Sequence, residues 1–190
     1  PPPQNWDPLS QSFFVDPNTF EKGMYLTSID LFFRTRSQSK NSYVTIEIRE
    51  LDNGFPSPEL ISSGDNAVVN NANIAISEDA TKPTKFTFKN PIYLSPGVDY
   101  CFTVKPSNND PDFALWVAEL GGIDITNSDV ETRIDKAPAS GVLFTSSNDY
   151  TWSARQNLDV KYKLKVAKFN TTATKVAYWN NVNASTAIPY

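Results

Sequence analysis

The stretch Tyr25-Leu26-Thr27-Ser28-Ile29-Asp30-Leu31-Phe32-Phe33-Arg34-Thr35 decides the fold. Tyr25, Thr27, Ile29, Leu31 and Phe33 alternate with Ser28, Asp30 and Arg34, and Arg36 continues the polar series just beyond. A period of two places successive side chains on opposite sides of an extended chain, so this is a strand with one face buried. The same period recurs at Tyr43–Arg49, where Val44, Ile46 and Ile48 oppose Thr45, Glu47 and Arg49. It recurs at Lys85–Phe88, where Phe86 and Phe88 face inward, and at Tyr100–Lys105, where Tyr100, Phe102 and Val104 alternate with Cys101, Thr103 and Lys105. It is clearest at Asp159–Lys165, where Val160, Tyr162 and Leu164, with Val166 just beyond, alternate with Lys161, Lys163 and Lys165. A slip of one residue in any of these would bury charge, so each inward face is well specified.

Turn signals separate the strands. Asp52-Asn53-Gly54 tolerates positive φ, and Ser95-Pro96-Gly97 places Pro and Gly where a type II turn needs them. Asn108-Asn109-Asp110-Pro111, Gly121-Gly122 and Ser147-Asn148-Asp149 mark further loops. No window carries a 3.6-residue apolar stripe; one short helical turn is expected near Ser128–Thr132. Many short strands in one domain-sized chain of 190 residues predict an all-β fold, an antiparallel two-sheet β-sandwich that is jelly-roll-like. Its predicted core is Phe13, Ile29, Leu31, Phe33, Val44, Ile46, Ile48, Phe86, Phe88, Leu94, Tyr100, Phe102, Trp116, Val142, Phe144, Tyr162 and Leu164. Residues 1–8, opening on three prolines, read as a stiff extended connector, 9–169 as the sandwich, and 170–190 as an extended segment or linker. The proline-rich start suggests a piece of a longer polypeptide or a chain that begins after processing, and the polar end suggests a linker toward a further module. Asn170-Thr171-Thr172 and Asn183-Ala184-Ser185 match the glycosylation sequon, a short pattern that often arises by chance.

Composition narrows the chemistry. The chain has no histidine, which removes Ser-His-Asp and Cys-His triads and His-ligated metal sites. A single cysteine, Cys101, excludes an intrachain disulfide and a thiolate cage, and its place between Tyr100 and Phe102 predicts an inert thiol. With 17 Lys and Arg against 21 Asp and Glu, the net charge of −4 lacks the basic footprint of a nucleic-acid module. No apolar run approaches the roughly 18 residues of a membrane span. The expectation is a non-enzymatic protein without a cofactor or metal.

Several segments go beyond periodicity: Asp7-Pro8-Leu9-Ser10-Gln11-Ser12-Phe13, Leu26-Thr27-Ser28-Ile29-Asp30-Leu31-Phe32-Phe33, Ile48-Arg49-Glu50 with Asn53-Gly54-Phe55-Pro56, Tyr93-Leu94-Ser95-Pro96-Gly97-Val98-Asp99-Tyr100, and Gly141-Val142-Leu143-Phe144. Over roughly residues 7–169 the chain resembles a β-sandwich module of virion structural proteins of contractile-tailed bacteriophages related to the T-even phages. Ser10 and Phe55 stand where that pattern has Ala and Tyr. A weaker likeness runs to jelly-roll modules of bacterial surface proteins and glycosidases. The resemblance implies a structural module of the tail, baseplate or tail-fibre attachment region. It would dock rigidly to other tail proteins in a virion, within a homo-oligomer or symmetric assembly. The alternative is a carbohydrate-binding or adhesin module, extracellular or on a surface, that recognises a host glycan.

Aromatic residues are the candidate contacts for either role: Trp116, Tyr150, Trp152, Phe55 and Trp179, with Trp6 and Tyr178 beside them. Flat rings give a sugar or a partner contact area at low entropic cost; the simpler reading places them in the core or under a neighbour. Asp110, Asp112, Asp124, Asp129, Glu131 and Asp135 cluster in the loop-rich middle but match no calcium-loop spacing. Glu47, Glu50 and Asp99 are the carboxylates a glycosidase would call on, and nothing in their spacing singles them out. Lys161, Lys163 and Lys165 form a basic row that suits an acidic partner or, more simply, guards a strand edge. The loop Gly54-Phe55-Pro56-Ser57-Pro58 is stiffened by two prolines, and Tyr100 is placed to pack inward with its hydroxyl on a backbone group at the sandwich corner.

Overall fold

The computed structural model describes residues 7–61, 66–126, 132–135 and 141–169. Among these the fold is all-β and antiparallel. The strands are β1 (Leu9–Phe14), β2 (Met24–Thr35), β3 (Tyr43–Asp52), β4 (Phe55–Leu60), β5 (Ala67–Asn70), β6 (Pro83–Leu94), β7 (Asp99–Pro106), β8 (Ala114–Leu115), β9 (Val117–Glu119), β10 (Leu143–Ser146), β11 (Trp152–Arg155), β12 (Leu158–Val160) and β13 (Tyr162–Val166). The first sheet runs β11-β10-β1-β7-β3-β4, with β5 also paired to β3. The second runs β13-β2-β6, with β8 paired to the end of β2; β9 and β12 form a separate ribbon. No helix among the described residues is long and apolar enough to cross a membrane. The helical turn expected at Ser128–Thr132 lies outside the described residues except for Thr132, as do Trp6, Tyr178, Trp179, Asp129, Glu131 and both sequons.

The inner faces of the two sheets meet in one core. Phe13, Val44, Ile46, Ile48, Tyr100 and Phe102 of the first sheet pack against Ile29, Leu31, Phe33, Phe86, Phe88 and Leu94 of the second. Each such side chain withdrawn from water contributes roughly 1.5–3 kcal/mol. The turns read from the sequence close as expected. Asn53 and Gly54 both take positive φ, 50° and 82°, which a right-twisted two-residue hairpin requires. Gly97 does so at 74°, and the Tyr100 hydroxyl accepts the Ser95 N–H at 2.9 Å, tying that corner.

Three expectations need correction. Tyr25 is exposed whereas Met24 and Leu26 are buried, because the register shifts between Leu26 and Ser28. In β6 the residues Phe88 to Pro91 stand opposite Thr27 alone, so the inward set changes parity at this bulge. Second, Leu143 faces the core in place of Val142, and Phe144 is buried on the other face of the first sheet. Third, the Asp159–Lys165 run is not one strand. Val160 pairs with Val117 in the ribbon, whereas Tyr162 pairs with Leu31 in the second sheet. Tyr162 and Leu164 are only partly buried against the core, and Trp116 is half-buried outside it.

The first sheet is strongly curled. Phe55 on β4 and Phe144 on β10 have ring centroids 5.8 Å apart, although four strand spacings laid flat would separate them by about 19 Å. The curl encloses the sheet's second face, where Ser10, Cys101, Thr103 and Arg49 are all buried. Burial pushes the Cys101 thiol up to about 11, which keeps it protonated and inert. Four charges fill the hollow. Arg49 Nη2 lies 2.7 Å from Glu47 Oε2 and 3.0 Å from Asp149 Oδ2, and Lys105 Nζ lies 2.8 and 2.5 Å from the same two oxygens. Asp149 reaches across from the loop before β11, in the left-handed region at φ 64°, with its N–H held by Ser146 Oγ. Removing one member of such a set leaves the others buried and unmatched, at a cost of about 3–5 kcal/mol. Asp149→Ala therefore lowers unfolding free energy by about that amount, measured by urea denaturation. Replacing all four charges together with apolar residues of similar volume costs markedly less.

Candidate docking site

The end of β2 builds the site. Past Phe32 the chain pairs with β8 instead of β13, and Trp116 N–H donates to Phe32 O at 2.9 Å. Lys161 N–H in turn donates to Trp116 O at 2.9 Å, where the last strand crosses from the ribbon to the second sheet. The Trp116 indole N–H donates to Ser77 O at 2.8 Å, which fixes the ring, and the Arg34 guanidinium lies 5.5 Å from its centroid. Beyond β9 the chain turns at Gly121, φ 84°, and folds back on itself: Ile134 N–H donates to Gly122 O and Asp124 N–H to Thr132 O.

Between this arm and β12–β13 lies a pocket of about 630 Å³ whose walls include Trp116, Ile123, Ile125, Ile134 and Val160. That volume is within the range of ligand clefts. Asp124, Lys161 and Tyr162 are the polar groups around it that titrate. The Thr126 hydroxyl and amide hold the Asp124 carboxyl below the usual carboxylate range, with Lys161 adding to the effect. Burial first, and the Asp159 charge second, push the Tyr162 phenol up. Around the pocket Val117, Leu120, Ile123 and Ile125 are 40–53% exposed. A grouped set of aliphatic side chains left in water marks an interaction surface, whereas one alone would not.

The ribbon from which the arm extends is pinned to the body through β12 by Gln11. Its Nε2 donates to Asp159 Oδ1 at 2.9 Å and its Oε1 accepts the Val160 N–H at 2.9 Å. Gly141 makes the room, since a Cβ there would stand 2.7 Å from both Gln11 Nε2 and Ser12 O.

The sequence candidates fall in different places. Trp116 is at the pocket. Phe55 is 47% exposed on β4, and Trp152 is 8% exposed at the start of β11. Tyr150, 79% exposed, sits on the loop and shares no face with Trp152. Trp179 lies outside the described residues. Glu47 belongs to the buried charge set, whereas Glu50 and Asp99 are exposed. Among the described residues no three potential ligands converge on a metal position. Asp110 instead accepts from the Ser37 and Ser42 hydroxyls. Sequence reading passed over Ile123 and Ile125; the signal was two isoleucines alternating with Asp and Thr directly after Gly121-Gly122. It also passed over three exposed rings in contact, Tyr25 with Tyr93 at 5.1 Å and with Phe169 at 5.0 Å. Comparison with protein-family models matches none, and comparison with curated proteins finds no match.

Burial raises the Asp159 carboxyl above its ordinary value, only partly offset by Gln11. A raised native value means the protonated form fits the fold best, so the contribution of this group to stability is greatest below the ordinary carboxylate value and falls as pH rises through the raised value. Asp159→Asn is accordingly more stable than the parent at pH 7, and the difference closes near pH 4, about the ordinary carboxylate value. Thermal unfolding across that range measures it.

Proposed function

We propose that this chain is a non-enzymatic docking module of a larger assembly, a structural part of a phage tail, baseplate or tail-fibre attachment region. The single observation that carries the docking role is the set of exposed aliphatic side chains around the Trp116 pocket, carried by β9 and the arm beyond it, with the partner strand β12 hydrogen-bonded to Gln11 of the sandwich. Such a surface gains most when a neighbour's apolar side chains displace water from it. The phage setting rests on the resemblance across residues 7–169. A carbohydrate-binding reading is favoured by a different observation: Tyr25, Tyr93 and Phe169 present contiguous rings that are 40–62% exposed.

Co-expression with the structural proteins of the same tail, followed by native mass spectrometry, tests the docking role. The expected result is a defined complex that Ile123→Asp dissolves while circular dichroism stays unchanged. A complex indifferent to Ile123→Asp removes the arm from the interface, and glycan binding lost on Tyr93→Ala moves the function to the ring cluster.

A further inference from the structure

Resting on the docking reading, we infer that the partner at this site is an extended acidic peptide segment of a neighbouring subunit, with an apolar side chain anchored in the Trp116 pocket. The pocket opens at one end of a cationic band on the outer face of the second sheet. Lys161 lines the pocket, and its ammonium lies 4.9 Å from the centroid of the buried Phe32 ring. Lys163 Nζ lies 5.8 Å from the same ring. Arg34 caps Trp116, Lys165 Nζ is 2.7 Å from Asp30 Oδ2, and Lys85 stands across the register from Asp30.

The carboxylates nearby do not cancel this band. Asp30 is buried and taken by Lys165; Glu78 is an exposed partner of Arg34 at 3.8 Å; Asp124 is engaged with Thr126 beside Lys161. Among the described residues Lys85 and Lys163 have no ion-pair partner. The chain as a whole carries −4, so the band is opposite in sign to the molecule that bears it. Edge protection accounts for Lys163 and Lys165 on β13 and for Lys85 on β6, the two strands that end the sheet, but not for Arg34 on the central strand β2. Complementary charge sets orientation and on-rate for an incoming acidic partner. Lys163 and Lys165 stand two residues apart on β13, so their backbone positions are about 6.6 Å apart, with Lys161 just before the strand. Acidic residues at alternate positions of an extended segment match that repeat. The aliphatic walls suit a leucine or phenylalanine anchor better than the hydroxyl-rich face of a sugar.

The test is fluorescence anisotropy on the full chain with labelled synthetic peptides. One is Phe followed by alternating Glu and Ser; the others replace Glu by Lys, replace Glu by Gln, or replace Phe by Ser. The expected result is binding of the Phe–Glu peptide that weakens with salt, falls by about tenfold or more in the double variant Lys161→Glu, Lys163→Glu, and falls on Ile125→Ser with the fold intact by circular dichroism. Equal binding of the Phe–Gln peptide, still sensitive to Ile125→Ser, overturns the charge inference and leaves the docking reading standing. Binding of none of the peptides overturns the inference as well, and the docking reading is then decided by the co-expression experiment alone. Capture of polygalacturonate with no peptide bound overturns it in favour of an acidic polysaccharide.

Discussion

The structure depends on the first sheet burying both of its faces. One face meets the apolar core, and the other closes around Arg49, Glu47, Lys105 and Asp149. β1, β7 and β3 therefore cannot read as simple amphipathic strands. Apart from Gln11 their buried inward positions are aliphatic and aromatic, and outward Ser10, Ser12, Glu47, Arg49, Cys101 and Thr103 are small, hydroxyl-bearing or charged, yet nearly as buried. The charges confer geometry more than net energy, because desolvating them offsets much of their attraction. What they define is how far the sheet bends. Both Glu47 and Asp149 touch both cations only when the loop before β11 lies over β3.

That bend separates what could be read in the sequence from what could not. The strands at Tyr43–Arg49 and Tyr100–Lys105 were legible, because alternation records which face meets the apolar core. Alternation does not record whether a neighbour folds over the opposite, polar face. Alternation puts Glu47 on the polar face, where the structure has it, and nothing in its spacing announces Asp149 as a partner. The parity change at Thr27 was hidden for a related reason. A bulge is a property of two strands together, and the residues opposite, Phe88 to Pro91, signal it only through Pro91, which cannot donate to the ladder.

The candidate site was legible only in fragments. Trp116 and the lysine row were visible as residues, but their adjacency was not. They meet because the Asp159–Lys165 run divides at Lys161, giving half its length to the ribbon and half to the second sheet. A perfect period of two argues for one continuous strand, and only a tertiary choice of partner breaks it. Ile123 and Ile125 escaped for the opposite reason. Two apolar residues in a polar loop carry too little pattern to be read, and their significance comes from what the fold stands beside them.

The position of β1 has a consequence for how the molecule comes into being. The strand lies between β7 and β10, and its Ser12 joins Val142, 130 residues away. Contacts of such long separation are closed late, because their loop entropy is met before any contact repays it. During synthesis the amino-terminal strand leaves the ribosome long before β10 exists. Until then, even after β1 has found β7, its β10-facing edge is a row of unpaired amides and carbonyls. A nascent chain of this design spends its most exposed moments with an open seam in the middle of its largest sheet, and stalled or truncated translation products would carry that seam permanently.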